Sequence, residues 1–181
     1  MISIKVEPFK IFDEENEKFI VMKKPQEIQM EHSLISISKW EAKWHKPFLD
    51  DSNTKTEEEW IDYFKCMTVN TVDSVVYYGL TEDNIKDILS YIDDPMTATW
   101  FGDKKNKNKG PKRKITSEVI YSWMVGLEIP FCVEKWHINR LLTLIQVIDD
   151  NNNPKKMTKT ETASMYSKLN AERKAKYHTK G

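Results

Sequence analysis

Glycine is scarce in this chain, with five among 181 residues: Gly79, Gly102, Gly110, Gly126 and Gly181. None are spaced as phosphate-cradling loops require, so Walker and dinucleotide-binding fingerprints are excluded. Cysteine is scarcer still. Cys66 and Cys132 cannot build a disulfide framework or a four-cysteine zinc site, and they read as reduced, buried thiols of a cytoplasmic protein. No apolar run approaches the roughly 18 residues that a membrane span needs. The segment Met1 to Pro8 lacks the charged-then-apolar order of a secretory signal.

Charge is plentiful. Charged residues make up 31% and apolar residues 39%, while six Trp and seven Phe supply enough bulk for a core. The net charge of zero hides an asymmetry. Residues 1–103 carry 11 Lys and Arg against 21 Asp and Glu, a net of −10, and residues 104–181 carry the opposite +10. The halves can neutralise each other, or the basic half can meet an acidic partner.

The N-terminal residues 1–35 read as a small antiparallel β-meander of three short strands packed on the rest. Ile2, Ile4 and Val6 alternate with polar residues, and Phe9 to Phe12 extends the apolar run beyond Pro8. A polar cluster from Asp13 to Glu17 suits a hairpin loop before Phe19-Ile20-Val21-Met22, and alternation resumes at Ile28, Met30 and His32.

Residues 36–181 read as a helical domain, so the fold class is α+β, mainly α-helical, in one folded unit. Ser38-x-x-Glu41, Thr56-x-x-Glu59 and Thr158-x-x-Glu161 have capping-box spacing, and Thr81 precedes Glu82 and Asp83 in a first turn. Ile85, Ile88, Leu89 and Ile92 form an apolar stripe. Val72 to Leu80 suits either a strand or a short helix. Residues 104–114 hold seven positive charges and no apolar side chain, which predicts a mobile basic loop over 103–114. Beyond it, a helix with Val119, Ile120, Trp123 and Met124 and another with Val133, Trp136, His137, Leu141 and Ile145 make a central αα-hairpin. Both tryptophans are expected to be buried there.

The constellations that carry chemistry are few. Glu134-x-x-His137 has metal-ligand spacing on a helix, but a di-iron bundle needs two copies and further carboxylates, so no metal is expected. No nucleophile elbow, zincin motif or Cys-His signature occurs; neither catalytic residues nor a cofactor are expected, and the chain reads as a non-enzyme. Arg140 falls on the apolar side of its helix, where it either pairs with the acidic half or meets a partner. Arg173, Lys174 and Lys176 follow the last apolar residue, Leu169, and are candidate partner-binding residues with Arg140. The basic segments contain no stacking Phe or Trp, so a nucleic-acid partner is not expected.

Several phrases are distinctive. They include Glu31-His32-Ser33-Leu34-Ile35-Ser36-Ile37-Ser38-Lys39-Trp40-Glu41, Lys46-Pro47-Phe48-Leu49 and Met96-Thr97-Ala98-Thr99-Trp100-Phe101. A long stretch runs from Ile115-Thr116-Ser117-Glu118 through Ile129-Pro130-Phe131 to Trp136-His137-Ile138-Asn139-Arg140-Leu141-Leu142, and Leu169-Asn170-Ala171-Glu172-Arg173 lies near the end. Together they resemble the tail assembly chaperone family of long-tailed bacteriophages, over about residues 27–181 apart from the lysine loop. The resemblance implies a non-catalytic role in the host cytoplasm during virion morphogenesis. It implies binding of the tape-measure protein, a long helical apolar chain, and of the tail tube protein as a further partner. A structural virion component, such as a minor tail or connector protein, is the alternative, and a nucleic-acid-binding phage protein a more distant one.

Overall fold

A computed structural model of the chain describes residues 1–13, 17–50, 54–99, 114–152, 163 and 166–167. Residues 1–146 form one compact unit and residues 147–181 a second. The fold is α+β, with a small β part followed by helices.

The first thirty residues double back as one long antiparallel hairpin rather than the expected meander. Strand β1 (Ile2–Val6) pairs with β4 (Gln26–Met30) as an inner ladder, and β2 (Phe9–Asp13) pairs with β3 (Lys18–Met22) as an outer ladder nearer the hairpin tip. Register runs from Ile2↔Met30 to Val6↔Gln26, then from Phe9↔Met22 to Asp13↔Lys18. Two residues separate β1 from β2, but three separate β3 from β4, so the register slips by one. Pro8 and Pro25 both stand in that gap. Neither has an N–H to donate, so the ladder is cut in two there.

The far edge of β4 is covered as well. Val69 donates to the Gln29 carbonyl at 2.8 Å and Glu31 to the Met67 carbonyl at 2.9 Å, around the bridge Met30↔Thr68. The Asn70 side chain adds a further rung: its Oδ1 accepts from Gln29 N–H at 2.9 Å and its Nδ2 donates to the Glu27 carbonyl at 2.8 Å.

Among the described residues the α-helices α1 (Leu34–Trp44), α2 (Glu57–Met67), α3 (Glu82–Asp93), α4 (Ser117–Gly126) and α5 (Ile138–Asn152) follow. Short 3-10 helices lie at Ser74–Gly79 and Phe131–Lys135. The first settles the ambiguous stretch before α3, while the second holds residues expected to start the second helix of the αα-hairpin. The boxes at Thr56–Glu59 and at Thr81, with Asn84 as its partner, form as expected. The box expected at Ser38 does not. Helix α1 starts five residues earlier, on a reciprocal Ser33–Ser36 box.

Glu41 is thereby free for another task. Its buried carboxylate accepts from Phe48 N–H and from Ser117 N–H, both at 2.7 Å, anchoring the chain after α1 and capping α4 from outside. Thr116, the N-cap residue of α4, makes no side-chain cap bond. Helix α1 is the hub on which α2, α4 and the second 3-10 helix pack. Trp40, Tyr63 and Phe64 are fully buried there, and Phe48 stacks on Tyr63 with ring centroids 3.9 Å apart. Trp123 and Trp136, expected in the core, are only half-buried. Cys132 is exposed rather than buried, and Cys66 is half-buried. The basic loop 103–113 and the Thr158–Glu161 box lie outside the described residues. Lys114, at the end of that loop, pairs with Asp50 at 3.5 Å.

Candidate protein-binding surface

The β2–β3 ladder is the apolar feature the core does not absorb. Apolar residues there do not alternate: Ile11-Phe12 and Phe19-Ile20-Val21-Met22 are consecutive. Successive strand residues point to opposite faces, so both faces of this ladder are apolar. One face carries the pairs Phe9↔Met22 and Ile11↔Ile20, and the other Phe12↔Phe19 and Lys10↔Val21.

Only the base of the first face is buried. Met22 is in the core, and Phe9 lies against Gly79, where a Cβ would come within 2.3 Å of the Phe9 ring. Gly79 therefore allows the 3-10 helix to approach β2 at backbone distance. Further out, Ile11 is 40% exposed, Phe12 48%, Phe19 59% and Val21 43%. Phe12 and Phe19 pack edge-to-face at 5.1 Å, and the Lys10 ammonium sits 4.1 Å from the Phe19 ring. Among the described residues no strand pairs with the outer edge of β2 or β3. The arrangement offers apolar side chains on two faces and strand edges that no further strand pairs among the described residues.

The sequence-derived candidates are not gathered at this arm. Arg140 is exposed on α5 instead of lying on its apolar side. The buried stripe there is Ile138, Leu141 and Ile145, and a residue two positions beyond Ile138 points away from it. The Arg140 guanidinium instead stacks over Trp136, 4.2 Å from the ring centroid. Arg173, Lys174 and Lys176 lie outside the described residues. Glu134 and His137 diverge: the carboxylate of Glu134 accepts from Tyr121 Oη at 2.8 Å, while His137 Nε2 faces the Tyr91 carbonyl at 2.9 Å. Among the described residues no group of three or more His, Cys, Asp or Glu is placed to hold a metal ion.

A concavity of about 310 Å³ lies between α2 and the first 3-10 helix and is lined by Glu58, Ile61, Asp62, Lys65, Tyr77 and Tyr78. Of its two acidic groups Asp62 is already engaged, since it bonds to Lys43 and also pairs with Lys65 at 3.4 Å. Those two ammonium groups hold the Asp62 carboxyl below its ordinary value against the opposing effect of burial. Tyr77 gives its hydroxyl proton to Thr68 Oγ1 at 2.7 Å. Asp62, Lys65 and Tyr77 thus use their polar groups on partners within the fold, in contrast to the arm.

No helix among the described residues is long and apolar enough to cross a membrane. No family model, no curated protein and no solved structure matches the chain. The arm's exposure was missed in the sequence reading, although a signal existed. Apolar residues at consecutive strand positions, bounded by Pro8 and Pro25, need cover on both faces, and a small domain can supply it on only one.

Proposed function

We propose that this chain is a non-catalytic assembly factor of a long-tailed bacteriophage, a tail assembly chaperone. It holds the tape-measure protein in the host cytoplasm while the tail tube is built around it. Two lines support the reading. The distinctive phrases from Glu31 to Glu41 and from Ile115 to Leu142 resemble that family. The observation that carries it is the β2–β3 arm, whose Ile11, Phe12, Phe19 and Val21 remain exposed on two faces. A long apolar helical client needs contacts of this kind, where burial of side chains drives association without a defined pocket. Basic residues guide the approach and set its salt dependence, the role assigned to Arg173, Lys174 and Lys176, with Arg140 on its Trp136 platform.

Co-expression with the tape-measure chain tests this. The expected result is a higher soluble fraction of the client, reduced by the double change Phe12→Ser and Phe19→Ser without unfolding the protein. A client that stays wholly insoluble, with the protein itself found in purified particles, overturns the reading in favour of a structural virion component.

A further inference from the structure

His32 follows β4 and His137 precedes α5, yet the two residues meet in the core. Ser33 and His137 form an isolated bridge, and Ile138 N–H donates to the His32 carbonyl at 2.7 Å. The two rings meet edge-to-face with centroids 5.0 Å apart, and the residues are only 2% and 5% exposed.

The hydrogen bonds define where the protons are. Asn139 N–H donates to His137 Nδ1 at 3.3 Å, so that nitrogen is bare and Nε2 carries the proton given to the Tyr91 carbonyl. Ser36 Oγ gives its own proton to the Ser33 carbonyl at 2.7 Å. The Tyr63 hydroxyl proton then goes to its nearer acceptor, His32 Nδ1, rather than to Ser36 Oγ at 3.3 Å. Both rings are neutral, with Nδ1 engaged as an acceptor. A proton added at His137 turns that acceptor into a donor facing the fixed Asn139 N–H, and one added at His32 forces the Tyr63 hydroxyl to turn its own proton toward Ser36 Oγ.

The charged surroundings do not compensate for it. Around His32 stand Tyr63 from α2, the Lys55 ammonium from the segment before α2, and the ring of His137. Around His137 stand Tyr91 from α3, Glu31 beyond β4, Asp94 beyond α3 and the Met1 amino group before β1. Glu31 and Asp94 favour a proton on His137. Glu31, however, is already shared between the Tyr91 hydroxyl at 2.5 Å and the Met1 amino group at 2.9 Å. Burial prevails at both rings and holds them below the ordinary histidine value, His32 at about 3.

We propose that the His32–His137 junction is an acid-sensitive latch. Proton uptake at either ring breaks the contact, frees the start of α5 from the turn between β4 and α1, and uncovers the buried Leu34 and Ile138 beside it. The sign follows from linkage. The unfolded imidazoles bind protons below about pH 6.5, and the folded ones only at lower pH. The latch is intact above that value and weakens as pH falls, by roughly tenfold in the opening equilibrium per pH unit for each ring. Glu59 and Asp62, whose carboxyls are held below their ordinary values by lysine partners, lose stability in a separate window below about pH 4.5.

The test uses the full chain, by urea unfolding from pH 7.5 to 4.5 and by amide exchange over the same range. The expected result is a loss of at least about 50-fold in the folding equilibrium between pH 6.5 and 4.5, the share of one ring that stays neutral in the fold across that range, and a larger loss where both rings do. His32→Gln and His137→Gln should each flatten that slope, while His45→Gln, at an exposed position, should leave it unchanged. In the wild type, the protection factors of Ile138 and Leu141 should fall with acid before that of Phe64. A flat profile above pH 4.5, an unchanged slope in both variants, or uniform loss of protection across the chain overturns the latch. If one variant does not fold, the other variant and the wild-type exchange pattern decide.

Discussion

The two halves of the N-terminal hairpin share a chain segment, a pairing mode and a strand length, yet meet opposite fates. In β1 and β4 the apolar residues Ile4, Val6, Ile28 and Met30 alternate with polar ones and all are buried. In β2 and β3 the apolar residues are denser, yet Ile11, Phe12, Phe19 and Val21 remain exposed. Apolar content therefore does not decide burial. What decides is whether one face can take all the apolar side chains, because the helices cover only one face. The inner ladder also has its β4 edge closed by residues 67–69 and the Asn70 side chain, whereas no strand among the described residues pairs with the outer one. The inner ladder is built for stability and the outer one is available for contact.

The contrast can be broken most directly at its buried end. Ile28→Ala removes a fully buried side chain from the inner ladder and should destabilise the fold by about 2–5 kcal/mol in urea unfolding. A cost below 1 kcal/mol, on the scale of an ordinary surface change, would mean that the inner ladder is not part of the core.

At the hinge between the ladders, Gly79→Ala places a methyl group against Phe9 and should cost about 1–3 kcal/mol by overpacking. Phe9→Leu in the same chain should recover part of that loss. Strict additivity of the two changes in a double-mutant cycle would show that Phe9 and Gly79 do not meet.

On the outer ladder, Phe12→Ser with Phe19→Ser should change stability by no more than about 1 kcal/mol, because each ring is about half exposed and loses mainly its partner's edge. The same variant should lose most of its effect on client solubility. A large drop in melting temperature would place these rings in the core and remove the contrast. The smallest effect is expected for Val21→Thr, within about 0.5 kcal/mol by thermal melting, since this exposed position keeps its β-branched shape.

Local chemistry made much of the helical part legible. Thr56 with Glu59, and Thr81 with its acidic first turn, mark helix starts because a cap is satisfied within three residues of itself. Ile88 and Ile92 face the core as the helical period requires. Ser38 misled for a physical reason. Its apparent box partner, Glu41, instead serves Phe48 and Ser117, and the Ser117 amide lies 76 positions along the chain. Arg140 misled because the helix start was placed too early, which rotated the inferred apolar face. Residues 131–135 form a 3-10 helix, so the true stripe begins at Ile138.

By itself, then, the sequence determined that strands precede helices, two of the caps at Thr56 and Thr81, and the apolar stripe of α3. These follow from interactions within a few residues, which any chain conformation of that segment can form. The tertiary structure alone decided that β1 pairs with β4, that Glu41 caps α4, that the rings of His32 and His137 meet, and which half of an apolar hairpin stays in water. Each of these depends on groups tens of residues apart, whose meeting is selected by the total surface they bury together and by no pattern local to either.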